Sequence, residues 1–87
     1  MVISTGDIRQ DYKIIDVVFA YGYQKEGILL GISKDKAFEK VKNDLAKSAS
    51  NIGADAVIYA TFDYRVAVDG KKQVLEFIAN GTAVKLL

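Results

Sequence analysis

The spacing of hydrophobic positions changes twice along the chain, and each change marks an element. Tyr12-Lys13-Ile14-Ile15-Asp16-Val17-Val18-Phe19-Ala20-Tyr21 is dense in β-branched and aromatic residues, with Gly22 just after it; this predicts a strand. Ile15, Val17, Phe19 and Tyr21 fall on one face, and Ile14, Asp16, Val18 and Ala20 on the other. Apolar groups on both faces predict a strand covered from both sides. Upstream, Val2 to Thr5 form a weaker candidate strand, set off by the polar turn at Gly6-Asp7. Downstream, Gly22, Gly27 and Gly31 bracket the apolar patch Ile28 to Leu30 in a segment that reads as a bend.

The spacing then lengthens to that of a helix. Phe38, Val41, Leu45, Ala49 and Ile52 recur at intervals of three and four and form one apolar stripe, which Ala46 widens. Ser33 stands at the N-cap position, and Asp35 adds negative charge where the helix dipole favours it. Lys36, Glu39, Lys40, Asn43 and Lys47 fall on the outer side, where Lys40 and Asp44 are spaced to pair. Gly53 occupies the place of a left-handed residue that ends the helix and turns the chain back.

From Ala56 the alternation has period two. Ile58, Ala60, Phe62 and Tyr64 share one face, and Val57, Tyr59, Thr61 and Asp63 the other. Asp69-Gly70 is a strong hairpin signal, and centring the turn there pairs Val68 with Lys71. The same register sets Tyr64 opposite Leu75, Phe62 opposite Phe77 and Ala60 opposite Ala79, with apolar residues meeting at each step. It also sets Asp63 opposite Glu76.

These elements predict a single α+β domain over residues 1–87, in the order β-α-β-β, with one helix packed on a small antiparallel sheet and a short N-terminal strand beside it. The helix is expected on the face with Phe62 and Phe77. One helix cannot cover both faces. Val57, Tyr59, Thr61, Ile78, Thr82 and Val84 are left on the second, which predicts a contact with further copies of the chain or with a ligand.

Composition narrows the function classes. About half of the 87 residues are hydrophobic (51%), and the net charge is +1, so a soluble folded domain is expected. The lysines between Lys34 and Lys47 are interleaved with Asp35, Glu39 and Asp44, which argues against a nucleic-acid surface. There is no cysteine, no signal-peptide pattern at the start and no apolar run of about 20 residues. The cytoplasm, with no membrane association, is the expected location.

The helix exit and strand Ile52-Gly53-Ala54-Asp55-Ala56-Val57, then Phe62-Asp63 and the closing Gly81-Thr82-Ala83-Val84-Lys85, resemble the YbjQ-like family. The N-terminal Ser4-Thr5 and Tyr12-Lys13-Ile14-Ile15-Asp16-Val17 are similar in the same way. The resemblance touches most of the chain. It implies the fold above and, because members form compact rings, a homopentamer. The family is uncharacterised and described as heavy-metal-binding, which implies a metal or metalloid role as the alternative function. Two departures stand out. Residues 23–31 replace a longer Gly- and Arg-rich stretch, and the chain has neither cysteine nor histidine. The element order is also similar to that of dodecin subunits, which bind flavins, an analogy of fold that transfers no function.

Candidate chemistry is sparse. The sole sulfur is that of Met1, so thiophilic ions lack ligands, and the acids show no EF-hand spacing. No metal site and no cofactor are expected. Without histidine or cysteine the common bases and nucleophiles are missing, so a non-enzymatic protein is expected. Asp63 and Glu76 are the one candidate acid–base pair for a minor hydrolase or isomerase. Tyr21, Gly22, Tyr23, Tyr59 and Tyr64 offer flat surfaces for a planar small molecule held between subunits, or packing at a subunit boundary. The leading expectation is a small oligomeric binding or scaffold protein that assembles with itself.

Overall fold

The computed structural model describes residues 1–25, 34–70 and 72–87. Five elements follow in chain order: β1 (Val2–Ile3), β2 (Tyr12–Lys25), α1 (Lys34–Asn51), β3 (Ala56–Asp69) and β4 (Lys72–Leu86). They form one helix on a four-stranded sheet of order β1-β3-β4-β2. The β-α-β-β domain is therefore α+β, as the periodicities predict. The sheet is mixed, because β1 runs parallel to β3 while the other pairs are antiparallel.

Helix α1 buries the middle of its stripe. Val41, Leu45 and Ala49 are fully enclosed, and Phe38 packs against them at the edge. Ile52 is different: it lies beyond the last helical turn and is 44% exposed. The helix ends as predicted, with Gly53 at φ 81°. The Gly53 N–H donates to Ser50 O (3.0 Å) and the Ala54 N–H to Ala49 O (3.0 Å), so two end carbonyls are satisfied in a Schellman arrangement. The predicted N-cap at Ser33 and most of the predicted bend lie outside the described residues. Gly22 does not begin that bend, because β2 continues to Lys25.

Both faces of the hairpin depend on one irregularity. Ile58 pairs with Thr82, but the next pair is Thr61 with Asn80, so Tyr59 and Ala60 form a bulge. Tyr59 takes a left-handed backbone, φ 50°. The extra residue reverses which residues face the helix. Val57 before the bulge and Ala60 and Phe62 after it point to the helix side, while Ile58 turns to the other side with Ala56 and Val84. This corrects two expectations: Val57 is a core residue at 0% exposure, and Ile58 does not lie under the helix.

The turn is also displaced. Asp69 pairs with Lys72, so the register sets Tyr64 opposite Phe77, Phe62 opposite Ala79 and Asp63 opposite Ile78. A shift of two positions keeps each side chain on its face, so the apolar matching that supported the predicted register is equally well met. Gly70 adopts φ 65°, and leaving Asp69 in the strand moves the glycine into the first loop position.

The core contains no polar or charged side chain among the described residues. It is narrow for the length of the sheet. The radius of gyration is 14.9 Å and the long axis 50 Å, against about 12 Å for the radius of a compact domain of this length. The β3–β4 hairpin, 14 and 15 residues long, sets that axis at ~3.4 Å per residue.

Candidate functional site

Among the described residues, the side of the sheet away from α1 is uncovered over most of its length. In β2, Val18, Ala20 and Gly22 face the helix, so Val17, Phe19, Tyr21 and Tyr23 project the other way. Among the described residues the strand is thus covered on one side, not on both. Phe19 is 67% exposed and Tyr21 57%, although ordinary cores would enclose such rings. Across the ladder, Val17 stands opposite Thr82, Phe19 opposite Asn80, Tyr21 opposite Ile78 and Tyr23 opposite Glu76. On the far side of β4, Thr61 meets Asn80, Asp63 meets Ile78 and Arg65 meets Glu76. The face is therefore an aromatic stripe on an edge strand beside a polar stripe on β3.

The polar stripe is internally bonded. The Thr61 hydroxyl donates to Asn80 Oδ1 (2.9 Å). The Arg65 guanidinium donates through Nε to Glu76 Oε2, and that bond raises the Arg65 pKa. Partial desolvation, then the Glu76 carboxylate that its hydroxyl meets, raises the Tyr21 phenol above its ordinary 10.0. Asp63 does not face Glu76, because the observed register gives that place to Arg65. The predicted carboxylate pair is not formed, which removes the geometry a shared proton would need.

The lower end of this face is covered by the chain's own N-terminal segment. Ile8 and Tyr12 pack on Ala56, Ile58 and Val84. The segment is stitched to the bulge: Ser4 N–H donates to Val57 O (2.8 Å), Tyr59 N–H to Gly6 O (3.1 Å) and Ala60 N–H to Ser4 O (2.9 Å). Asp7 Oδ1 accepts from the Ile8 N–H (2.8 Å) and the Tyr12 hydroxyl (2.9 Å). Those bonds, the backbone one foremost, lower the Asp7 pKa, while the carboxylate raises both Tyr12 and Tyr59.

The predicted site residues separate accordingly. Tyr21 and Tyr23 share the open face, and Thr61, Ile78 and Thr82 lie there too. Val84 is on that side but is fully buried under Ile8 and Tyr12, so it is not an exposed contact residue. Tyr59 is exposed at the bulge beside Asp7. Gly22 and Tyr64 are on the helix side. Gly22 lies against Val41, and Tyr64 meets Phe38 edge-on at a centroid distance of 5.9 Å. The five predicted ligand residues therefore do not form one surface. Val17 and Phe19 were not singled out, although their alternation with Val18 and Ala20 carried the signal.

Two shallow depressions border the helix. One, of about 390 Å³, is lined by Phe38, Glu39, Lys42 and Phe62; the other, of about 240 Å³, lies by Gly22, Lys36, Lys40 and Phe77. Among the described residues no group of three acids, histidines or cysteines could hold a metal ion, and no helix is long and apolar enough to cross a membrane.

The fold and this face define a small α+β subunit with one side of its sheet left open. A family model described as "Putative heavy-metal-binding", YbjQ, matches residues 22–87, and the chain belongs to that family. A crystal structure of a protein of unknown function from Pediococcus pentosaceus, assigned to the DUF74 family, superposes with a TM-score of 0.85 at 24% identity, covering 100% of this chain and 98% of that one. That likeness establishes the fold. No curated protein matches the chain. The family description does not fit the donor set here: with no cysteine or histidine, the chain offers thiophilic metals only the thioether of Met1.

Proposed function

We propose that the protein is a non-enzymatic subunit of a closed homo-oligomer, acting as a scaffold or as a holder of a small molecule between subunits. The observation that carries this reading is the exposed row Val17, Phe19, Tyr21 and Tyr23, continued by Ile78 on β4. Apolar surface left in water forgoes about 25 cal/mol per Å². The row spans three two-residue steps, about 20 Å, and the three strands are about 14 Å wide, giving on the order of 300 Å². A stable interface needs about 800 Å² per partner. The face alone falls short, so each subunit must add a second surface.

Strand edges are the natural addition. β2 and the two-residue β1 are the edge strands, and past the bulge, where Tyr59 and Ala60 donate to Gly6 and Ser4, no further strand lies beside β3 among the described residues. A heterologous ring joins one edge to a different edge of the neighbour and leaves none exposed. The family resemblance favours five subunits, and the lack of cysteine in the sequence favours the cytoplasm. A tyrosine-lined boundary suits a planar ligand that stacks on Tyr21 or Tyr23. The absence of histidine and cysteine from the sequence, and the separation of Asp63 from Glu76, support a role without catalysis. Native mass spectrometry of freshly purified protein tests the reading. Multiples of the 9.5 kDa chain support it, and a retained small molecule would identify the ligand. A monomer alone would contradict it.

A further inference from the structure

The open face of β2 has a counterpart on the other side of the sheet. Past the bulge, Phe62, Tyr64, Val66 and Val68 follow at two-residue steps on the helix side of β3, with no further register shift. Helix α1 lies over β2 and β4 more than over β3, so it covers only the start of this row. Phe62 is half-buried and Tyr64 leans on Phe38, but Val66 is 56% exposed and Val68 74%. At the head of the row, the depression of about 390 Å³ opens between Phe38 and Lys42 of α1 and Phe62 of β3.

We infer, on the reading that the subunits form a closed homo-oligomer, that the helix side of β3 is the seat of the neighbouring copy's open face. Val17, Phe19 and Tyr21 of one subunit pack on Phe62, Tyr64 and Val66 of the next. Each row holds four residues on one face of a strand, so each runs about 20 Å at ~3.4 Å per residue. Each also lies at a margin of the sheet. β2 is an edge strand, and past the bulge no strand lies beside β3 on its outer side among the described residues.

The two rows lie on opposite faces, and this decides how subunits meet. Joining β2 to the neighbour's β3 in one continuous sheet would leave the rows on opposite sides, both still wet. Lapping one margin over the other brings them face to face, as two sheet layers about 10 Å apart. The placement of α1 toward β2 leaves space above β3 for such a layer. A lapped edge is a covered edge, which guards it against further pairing. Because the rows differ, the contact is heterologous, and every subunit is held twice, once through each row. A twofold dimer of open face on open face would cover the first row and leave Val66 and Val68 in water. The α1 wall of Phe38 and Lys42 extends each contact beyond the row itself.

Phe19→Asp disables one row and Val66→Asp the other. Both residues are more than half exposed in the single chain, and circular dichroism checks that each variant folds. Sedimentation velocity at high micromolar concentration compares the wild type, each variant alone and an equimolar mixture. Each variant alone should sediment as a monomer. The mixture should form a dimer and nothing larger, because one intact β2 row meets one intact β3 row and no further contact remains. With one variant labelled with nitrogen-15, native mass spectrometry should find one chain of each kind in that dimer. Val68→Asp, nearer the tip, replaces Val66→Asp should the latter not fold. If the β3 variants keep the wild-type oligomer while Phe19→Asp does not, the seat on β3 is overturned and the assembly stands. A mixture that stays monomeric would also overturn the pairing of these rows. A monomeric wild type would overturn the assembly and this contact with it.

Discussion

A Cβ built on Gly22 would lie 2.6 Å from Val41 Cγ2, so β2 and α1 meet at a point where a side chain does not fit. The glycine permits close helix–sheet contact there. Gly22→Ala should cost about 1–3 kcal/mol by overpacking, measured by urea unfolding. Gly81→Ala should behave alike, since its Cβ would lie 2.4 Å from Val57 Cγ1 and 3.3 Å from the Ala60 backbone. Neutral effects at both positions would mean that the helix and bulge are not seated as described.

The stripe on α1 divides into positions that matter and one that does not. Leu45 is at 0% exposure, so Leu45→Ala should cost about 2–5 kcal/mol. Ile52 is 44% exposed, so Ile52→Ala should fall well under that range. Equal losses at the two positions would place Ile52 in the core after all.

The bonds of Asp7 make the N-terminal segment sensitive to pH at two extremes. The Ile8 N–H first, and then the Tyr12 hydroxyl, lower the Asp7 pKa below its ordinary 3.8. A depressed acid contributes stability above that ordinary value, and the contribution is lost as pH falls through the lower folded value. Tyr12 is raised above 10.0, chiefly by Asp7. Its contribution is whole below 10.0 and is lost as pH rises through the higher folded value. Hydrogen exchange at the Tyr59 and Ala60 amides, which donate to Gly6 and Ser4, reports the segment's opening. Tyr12→Phe should speed exchange there at neutral pH relative to the wild type. Identical protection in the two proteins would show that the carboxylate–phenol bond does not hold the segment.

Much of the fold could be read from the sequence because local patterns and global packing agree. The stripe around Val41 and Leu45, the stop at Gly53 and the hairpin near Gly70 each follow from a short-range rule. The faces of β3 did not follow. A bulge shifts alternation by one without any change in composition, and Tyr59 is not a residue that announces a left-handed backbone. That is why Val57 was expected outside and lies inside. The register failed for a related reason: Leu75, Phe77 and Ala79 alternate regularly, so a two-residue shift matches apolar residues as well as the predicted one. The open face was legible in outline through Thr61, Ile78 and Thr82, but its aromatic centre at Phe19 lay on a strand expected to be covered. The bond of Asp7 with Tyr12 had no sequence signal, since only the folded turn brings the two together.

The central claim is that the uncovered aromatic face is closed by other copies of the chain. Sedimentation velocity of the wild type and of Phe19→Asp, both at high micromolar concentration, tests it most directly. Phe19 is 67% exposed in the single chain, so the substitution leaves the subunit's own core intact, while in an assembly it buries a charge without a partner. The expected result is a discrete oligomer for the wild type and a folded, smaller species for Phe19→Asp. A wild-type protein that sediments as a stable monomer, or a Phe19→Asp variant that assembles as the wild type does, would contradict it.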